Sequence, residues 1–201
     1  MKKQWKLLLL LALLAVGVVG CGNNDEEDKP SAKYENMEYN GPFDIEEARK
    51  NIIIKGQPFE IPVELEDISG GWTYEVEKES SYYLDAGNGL VYLYYNGQEM
   101  CSGGLENYYP ENEKKSILYN LTVYTDDSCV DGVIPQKTTK QEVIQKYGEP
   151  TEITMSGAYY YGIVNGSKTL AGRLDNQCIC IKFDSTDVVS SVSLTYADLT
   201  K

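Results

Sequence analysis

Cysteine, tyrosine and the carboxylates are the chemically capable residues of this chain, because histidine is absent altogether. Without histidine there is no Ser-His-Asp or Cys-His nucleophile system and no histidine-ligated metal site. No serine stands three positions ahead of a lysine, which removes the Ser-x-x-Lys acylation motif. Gly87-Asn88-Gly89 lacks the rest of any phosphate-binding loop. The 31 acids offer many carboxylate pairs of the glycosidase kind, but neither spacing nor an apolar pocket singles one out. Asp127-Ser128-Cys129-Val130-Asp131-Gly132 begins like a calcium loop. It then fails, with Cys129 at the third ligand position and Thr138 where the closing glutamate belongs, and an acidic turn between strands is expected instead. The chain is therefore read as a non-enzyme with no catalytic residue, no metal ligand and no cofactor.

Tyrosine is the unusual feature of the composition, with 17 residues against three phenylalanines. Tyr92 and Tyr94 fall on one face of a strand, and Tyr159 and Tyr161 flank Tyr160 in another. Tyrosine packs its ring on a half-buried sheet face while its hydroxyl stays wet, and it is a favoured contact residue at protein interfaces. Trp72, Tyr92, Tyr94, Tyr159 and Tyr161 are accordingly the candidate binding surface, beside the plainer reading that sheets accumulate such residues for packing.

The amino terminus speaks to compartment. Lys2, Lys3 and Lys6 precede Leu7 to Val19, a run without a polar or charged side chain. Positive, then apolar, then small is the layout of a secretory signal, and the run is shorter than the roughly 20 residues that cross a bilayer. Val18-Val19-Gly20-Cys21 ends it and resembles a bacterial lipobox. That resemblance implies cleavage between Gly20 and Cys21, and diacylglyceryl and palmitate-type acyl chains on Cys21. It places the chain on the extracytoplasmic face of a cell membrane as a lipid-anchored lipoprotein of the envelope. Two acyl chains anchor stably, at about 0.8 kcal/mol per buried methylene.

Removing residues 1–20 takes three lysines and no acid from 18 basic and 31 acidic side chains, leaving a formal charge of −16. Such a surface repels nucleic-acid phosphates and anionic headgroups, so no nucleic-acid partner is expected and the lipid itself is the membrane attachment. Residues 21–42 contain Asp25-Glu26-Glu27-Asp28 and Lys29-Pro30-Ser31 and read as a flexible acidic tether. In an exported protein Cys101, Cys129, Cys178 and Cys180 are candidate disulfide cysteines, with buried free thiols as the alternative. Cys178 and Cys180 point to one face of a strand, so if two disulfides form each is expected to join Cys101 or Cys129 rather than the other. A four-cysteine zinc site lacks the paired C-x-x-C spacing.

These residues sit among short apolar runs and turn signals, which predict an α+β fold of short helices packed on antiparallel sheet. Strands are expected at Ile52–Ile54 and Phe59–Ile61 around a Lys55-Gly56-Gln57-Pro58 hairpin, and at Trp72–Val76. Further strands are expected at Leu90–Tyr95 before Asn96-Gly97, Ser116–Tyr124, Ala158–Val164 before Asn165-Gly166, Gln177–Phe183, and Val188–Tyr196 after an Asp184–Asp187 turn. The best helix is Thr139–Tyr147, with a capping box from Thr138 and Gln141 or from Thr139 and Glu142, closed by Gly148 and Pro150. Shorter helices are expected at Phe43–Lys50, opened by Asp44, and at Val63–Ile68. The order predicts two tandem helix-plus-three-strand units, 43–130 and 131–201, each opened by Ile-Pro.

Lys137 to Pro150, with the strand Cys178-Ile179-Cys180-Ile181-Lys182-Phe183-Asp184 after it, resembles the BamE/OmlA-type lipoproteins and the β-lactamase inhibitor protein family. Those proteins place Thr or Ser before a helix carrying Glu-Val and close it with Gly-x-Pro; here Pro135-Gln136-Lys137 stands where their glycine is usual. The resemblance covers residues 131–196, and 52–124 less clearly. It implies helices on one face of a small antiparallel sheet, with two such units in tandem in the inhibitors. Three functions follow as expectations: a non-catalytic protein-binding or scaffolding domain of the envelope, an inhibitor of a secreted or envelope hydrolase, and a glycan-binding or glycan-acting surface protein.

Overall fold

Strict alternation decides the architecture. In Gln177–Phe183, Ile179 and Ile181 are wholly buried in the apolar core. Cys178, Cys180 and Lys182 alternate with them and so face the other side of the strand. The same alternation recurs along the neighbouring strands, so the sheet has one apolar face and one polar face. The computed structural model describes residues 41–77, 87–164 and 177–197. All of them belong to one compact unit, Tyr34–Lys201.

The elements run α1 (Ile45–Ala48), β1 (Ile52–Ile54), β2 (Gln57–Phe59), β3 (Val63–Glu64), β4 (Trp72–Val76), β5 (Asn88–Tyr95), β6 (Gln98–Glu106) and β7 (Ile117–Val123). They continue with β8 (Cys129–Val130), α2 (Lys140–Tyr147), β9 (Glu152–Ile153), β10 (Tyr159–Ile163), β11 (Gln177–Phe183) and β12 (Val189–Tyr196). The main sheet has the order β4-β5-β6-β7-β12-β11-β10-β9, antiparallel throughout, and β3 pairs with the start of β7. A small sheet, β2-β1-β8, forms separately. The result is a sheet-rich α+β fold with few short helices.

One apolar cluster joins the main sheet to everything packed on it. Leu93, Leu105, Leu121, Ile179 and Leu194 from the sheet meet Ala48 of α1, Ile52 and Ile54 of β1, Val130 of β8, and Val143 and Tyr147 of α2. Phe43, Tyr147 and Tyr161 stack through ring centroids 5.5 and 5.0 Å apart. At the other end Phe59, Trp72 and Tyr95 do the same at 4.8 and 5.2 Å.

Local signals set the turns and helix ends. Lys55-Gly56 and Asn96-Gly97 both take positive φ at two successive residues, as a two-residue hairpin turn requires. Asp44 caps α1 by accepting from the N–H groups of Glu46 and Glu47 at 2.8 and 3.3 Å. In α2 the capping box is that of Thr139 and Glu142: the Thr139 N–H donates to Glu142 Oε2 at 2.7 Å, and the Glu142 N–H donates to Thr139 Oγ1 at 3.3 Å. Thr138 is occupied elsewhere, its Oγ1 accepting from the Ile134 N–H at 2.9 Å. Gly148 then takes φ +74° to end the helix.

Several sequence expectations change: β8 lies where only an acidic turn was expected, and the partner strand of β1 is Gln57–Phe59 rather than Phe59–Ile61. Val63–Ile68 is not an α-helix but β3 followed by one 3-10 turn, Leu65–Asp67. No side chain caps that turn, and the Leu65 N–H is taken by Ser116 O at 3.0 Å, so pairing with the segment leading into β7 prevails over local propensity. β6 was absent from the expected strands although it lies at the centre of the first four. Its Ser102-Gly103-Gly104 reads as a turn, yet a Cβ on Gly103 would lie 2.4 Å from Leu118 Cδ1 and 2.5 Å from Asn120 O. The glycine is there because β7 crosses close against it. β9, only two residues long, was also missed. The Asn165-Gly166 turn lies outside the described residues, as do the signal segment, Cys21 and the tether to residue 40.

Candidate functional site

The five aromatic residues proposed as a binding surface do not share a face. Tyr161 is 0% exposed and its hydroxyl donates to Gly148 O at 3.3 Å, so it is core and not surface. Trp72 and Tyr159 lie on the same inward side: Trp72 packs between Phe59 and Tyr95, and Tyr159 against Phe183 with Lys140 Nζ 5.2 Å from its ring. Tyr92 and Tyr94 alone point to the opposite, outer face. The reason is parity: Tyr159 and Tyr161 alternate with Tyr160, and it is Tyr160 that joins the outer side. The sequence contained that signal, but only strand pairing says which parity faces out.

Pairing across the sheet aligns one outer-face residue from every strand. The row reads Glu75, Tyr92, Ser102 and Thr122, then Ser193, Cys180, Tyr160 and Glu152. Bulky tyrosines and acids stand at both ends and short side chains fill the middle. Seven strand spacings of about 4.8 Å make the row roughly 34 Å long. None of its members belongs to the apolar cluster; Cys180 is nevertheless only 8% exposed, and Cys178 and Thr195 beside it on this face are 1% and 4% exposed.

Hydroxyls are tied together along this face. Thr122 Oγ1 and Ser193 Oγ are 2.7 Å apart across the β7–β12 pair. Asn120 Nδ2 donates to Thr195 Oγ1 at 2.7 Å and to Leu194 O at 3.1 Å. The Tyr94 hydroxyl donates to Glu75 Oε2 at 3.4 Å. Burial, and then the carboxylates of Glu75 and Glu99, hold the Tyr94 phenol above its usual range. Burial does the same for Tyr160, helped by its hydrogen bond with Cys180. The row therefore offers fixed donors and acceptors, ring faces and charged ends.

Among the described residues, Cys101, Cys129, Cys178 and Cys180 are free thiols. Cys101 lies on β6, separated from Cys178 and Cys180 on β11 by β7 and β12. Three strand spacings of about 4.8 Å exceed the 7 Å limit for bridged Cα atoms. Cys129 belongs to β8 in the small sheet, whose Val130 packs in the apolar cluster, while Cys178 and Cys180 face outward through the main sheet. The expected joining of these two with Cys101 or Cys129 is therefore corrected. Burial pushes the Cys101 thiol up to about 12 and raises Cys178 and Cys180 as well, so all three stay protonated at neutral pH.

Two grooves flank α2, of about 330 and 400 Å³. The first contains Lys137 and Lys146, but both are engaged, with Asp126 at 3.2 Å and Asp131 at 3.1 Å. Asp131, in the turn that begins like a calcium loop, also accepts from the Tyr147 hydroxyl at 2.8 Å. Among the described residues, no helix is long and apolar enough to cross a membrane. No family model matches the chain, and no curated protein and no solved structure matches it either.

Proposed function

We propose that the chain is a lipid-anchored, extracytoplasmic, non-catalytic domain that docks another envelope protein on the outer face of its main sheet. The observation that carries this is the eight-residue row from Glu75 to Glu152, which aligns hydroxyls, tyrosine rings and carboxylates on one face of the sheet. Tyrosines and hydrogen-bonding side chains on a rigid platform are what interfaces use, because rings add contact area at small entropic cost. Anchorage through Cys21 rests on the lipobox, and the acidic tether gives the domain roughly 25 Å of reach from the membrane.

The two halves are read as tandem repeats, now of four strands each. The row supports this by its own order: Glu75, Tyr92, Ser102 and Thr122 correspond to Glu152, Tyr160, Cys180 and Ser193. The Asn-Gly pairs agree in sequence, Asn96-Gly97 following β5 and Asn165-Gly166 following β10 closely. The repeats would meet last strand to last strand at β7 and β12.

The test is a photo-crosslinking phenylalanine derivative placed at Tyr92 or Tyr160 in living cells. A discrete adduct from both positions and none from Gln141, on the exposed side of α2, is the expected result. Adducts from Gln141 alone, or from none of the three, would overturn the reading. Cys21→Ser should separately release the protein from membranes; persistence in the membrane fraction refutes the anchor.

Inhibition of an envelope hydrolase is the second reading, and one feature favours it. The β9–β10 hairpin presents Ile153 at 55% and Met155 at 109% exposure, an apolar tip suited to a partner's cleft. Cell-wall hydrolases and β-lactamases assayed with micromolar protein should lose activity if this holds; undiminished activity across the panel removes it.

A further inference from the structure

We infer that the partner taken by the outer face is a cationic protein segment carrying arginines at two points, one for each end of the row. The inference rests on the docking reading above and names its chemistry. At one end Glu75 lies directly across the strand pair from Tyr92, and at the other Glu152 lies across from Tyr160. Each end thus sets a glutamate and a tyrosine on adjacent strands, their backbones about one strand spacing apart, and at the first end the Glu75 carboxylate also accepts from the Tyr94 hydroxyl at 3.4 Å. That is the arrangement a guanidinium fits, pairing its fork with the carboxylate while its plane covers the ring.

The surrounding charge points the same way. Glu99 stands opposite Tyr94, next to the first end. The one base at an outer-face position of these strands, among the described residues, is Lys182, which is paired in register with Ser191 beyond the row. The mature chain as a whole carries −16, from 15 basic and 31 acidic side chains after residues 1–20 are removed. A second copy of this chain would meet that charge with its own, and nucleic acid and anionic lipid would be repelled by it, so a basic protein segment is the complementary occupant.

Size gives the spacing. The tyrosines are five strand steps apart and the acids seven, or roughly 24 and 34 Å at 4.8 Å per step. An extended segment covers that with about seven to ten residues at 3.3 Å each. Between the ends, Ser102, Thr122 and Ser193 present short hydroxyl side chains beside the buried Cys180, with none of the grip of an apolar pocket. The two arginine ends therefore dominate binding, and binding weakens as salt rises.

The test uses the full-length protein in detergent and a synthetic peptide of about twelve residues, two arginines at each end of a Gly-Ser repeat. The two-ended peptide should bind, and Glu75→Gln with Glu152→Gln should weaken it at least tenfold and flatten its salt dependence. A peptide with arginines at one end alone should lose a similar factor. Glu47→Gln with Glu111→Gln removes the same charge from α1 and from the 3-10 segment Pro110–Lys115 before β7, and should leave binding unchanged. Equal loss from both pairs, no binding at all, or preference for a glutamate-ended peptide would overturn the cationic partner. Adducts at Tyr92 and Tyr160 in cells, together with a silent arginine peptide, would sink this inference and leave docking standing. Absence of the adducts would sink docking itself.

Discussion

Single side chains close the ends of elements here, and their effects separate cleanly by pH. Glu142 is held below its usual value of 4.5, first by the backbone N–H of Thr139 and then by its hydroxyl. Asp184 is held below 3.8 by the Thr186 hydroxyl and by the N–H groups of Thr186 and Val188 in the turn before β12. A carboxyl with a depressed folded value stabilises fully above its unfolded value and loses that contribution as pH falls through the folded one. Urea midpoints measured from pH 6 down to 3 should therefore fall with acid, and Glu142→Gln should show a shallower fall than the parent. An equal slope in the two proteins would show that the capping box does not titrate as described. Thr139→Ala should lower stability by about 1 kcal/mol near neutral pH. This scale was the most legible in sequence, since Asp44, Thr139, Glu142 and Gly148 act within four or five residues of themselves.

At the scale of elements, legibility depended on whether a strand announces itself locally. β5 and β11 do, with alternating apolar residues, and Asn96-Gly97 marked the β5–β6 hairpin. β6 does not: it is Gln98-Glu99-Met100-Cys101-Ser102-Gly103-Gly104-Leu105-Glu106, and its reason for glycine lies in Leu118 and Asn120 of β7. Gly103→Ala should accordingly destabilise by about 1–3 kcal/mol through overpacking, read by thermal or chemical unfolding. The same substitution at Gly56, with no atom within 4 Å of a Cβ, meets only the strain of its φ of +78°. If Gly56→Ala proved the more damaging of the two, backbone strain and not strand crowding would be the governing term. The outer-face row was illegible for a related reason: residue types marked Tyr92 and Tyr94, but β-parity without pairing could not exclude Tyr161 or bring in Tyr160, Ser102, Thr122 and Ser193.

At the scale of the whole molecule, one sheet and one core span both halves of the sequence. The apolar cluster runs from Phe43 to Leu194, so a core truncation in either half should unfold both together. Leu93→Ala and Leu194→Ala each remove a wholly buried side chain. Each should cost about 2–5 kcal/mol, in a single cooperative transition. Two separated transitions would mean that the halves are independent. The cysteines give a second check at this scale, because they lie on different layers and faces. After denaturation in non-reducing conditions Cys101, Cys129, Cys178 and Cys180 should all alkylate, with an intact mass identical to that of the reduced protein. Any shortfall would establish a disulfide.

The β7–β12 pairing carries a consequence for assembly. It joins Thr122 to Ser193 and Leu121 to Leu194, partners about seventy positions apart in the chain. Until the second half is synthesised and folded, β7 therefore offers a bare edge along Asn120 to Val123, because β3 covers only Ile117 and Leu118. The missing strand has the same shape whichever molecule supplies it. Two chains that exchanged their second halves would satisfy every hydrogen bond of the seam and keep both faces of the sheet intact. A reciprocally exchanged dimer is thus the natural competing product of this topology, and it would arise where many copies fold side by side.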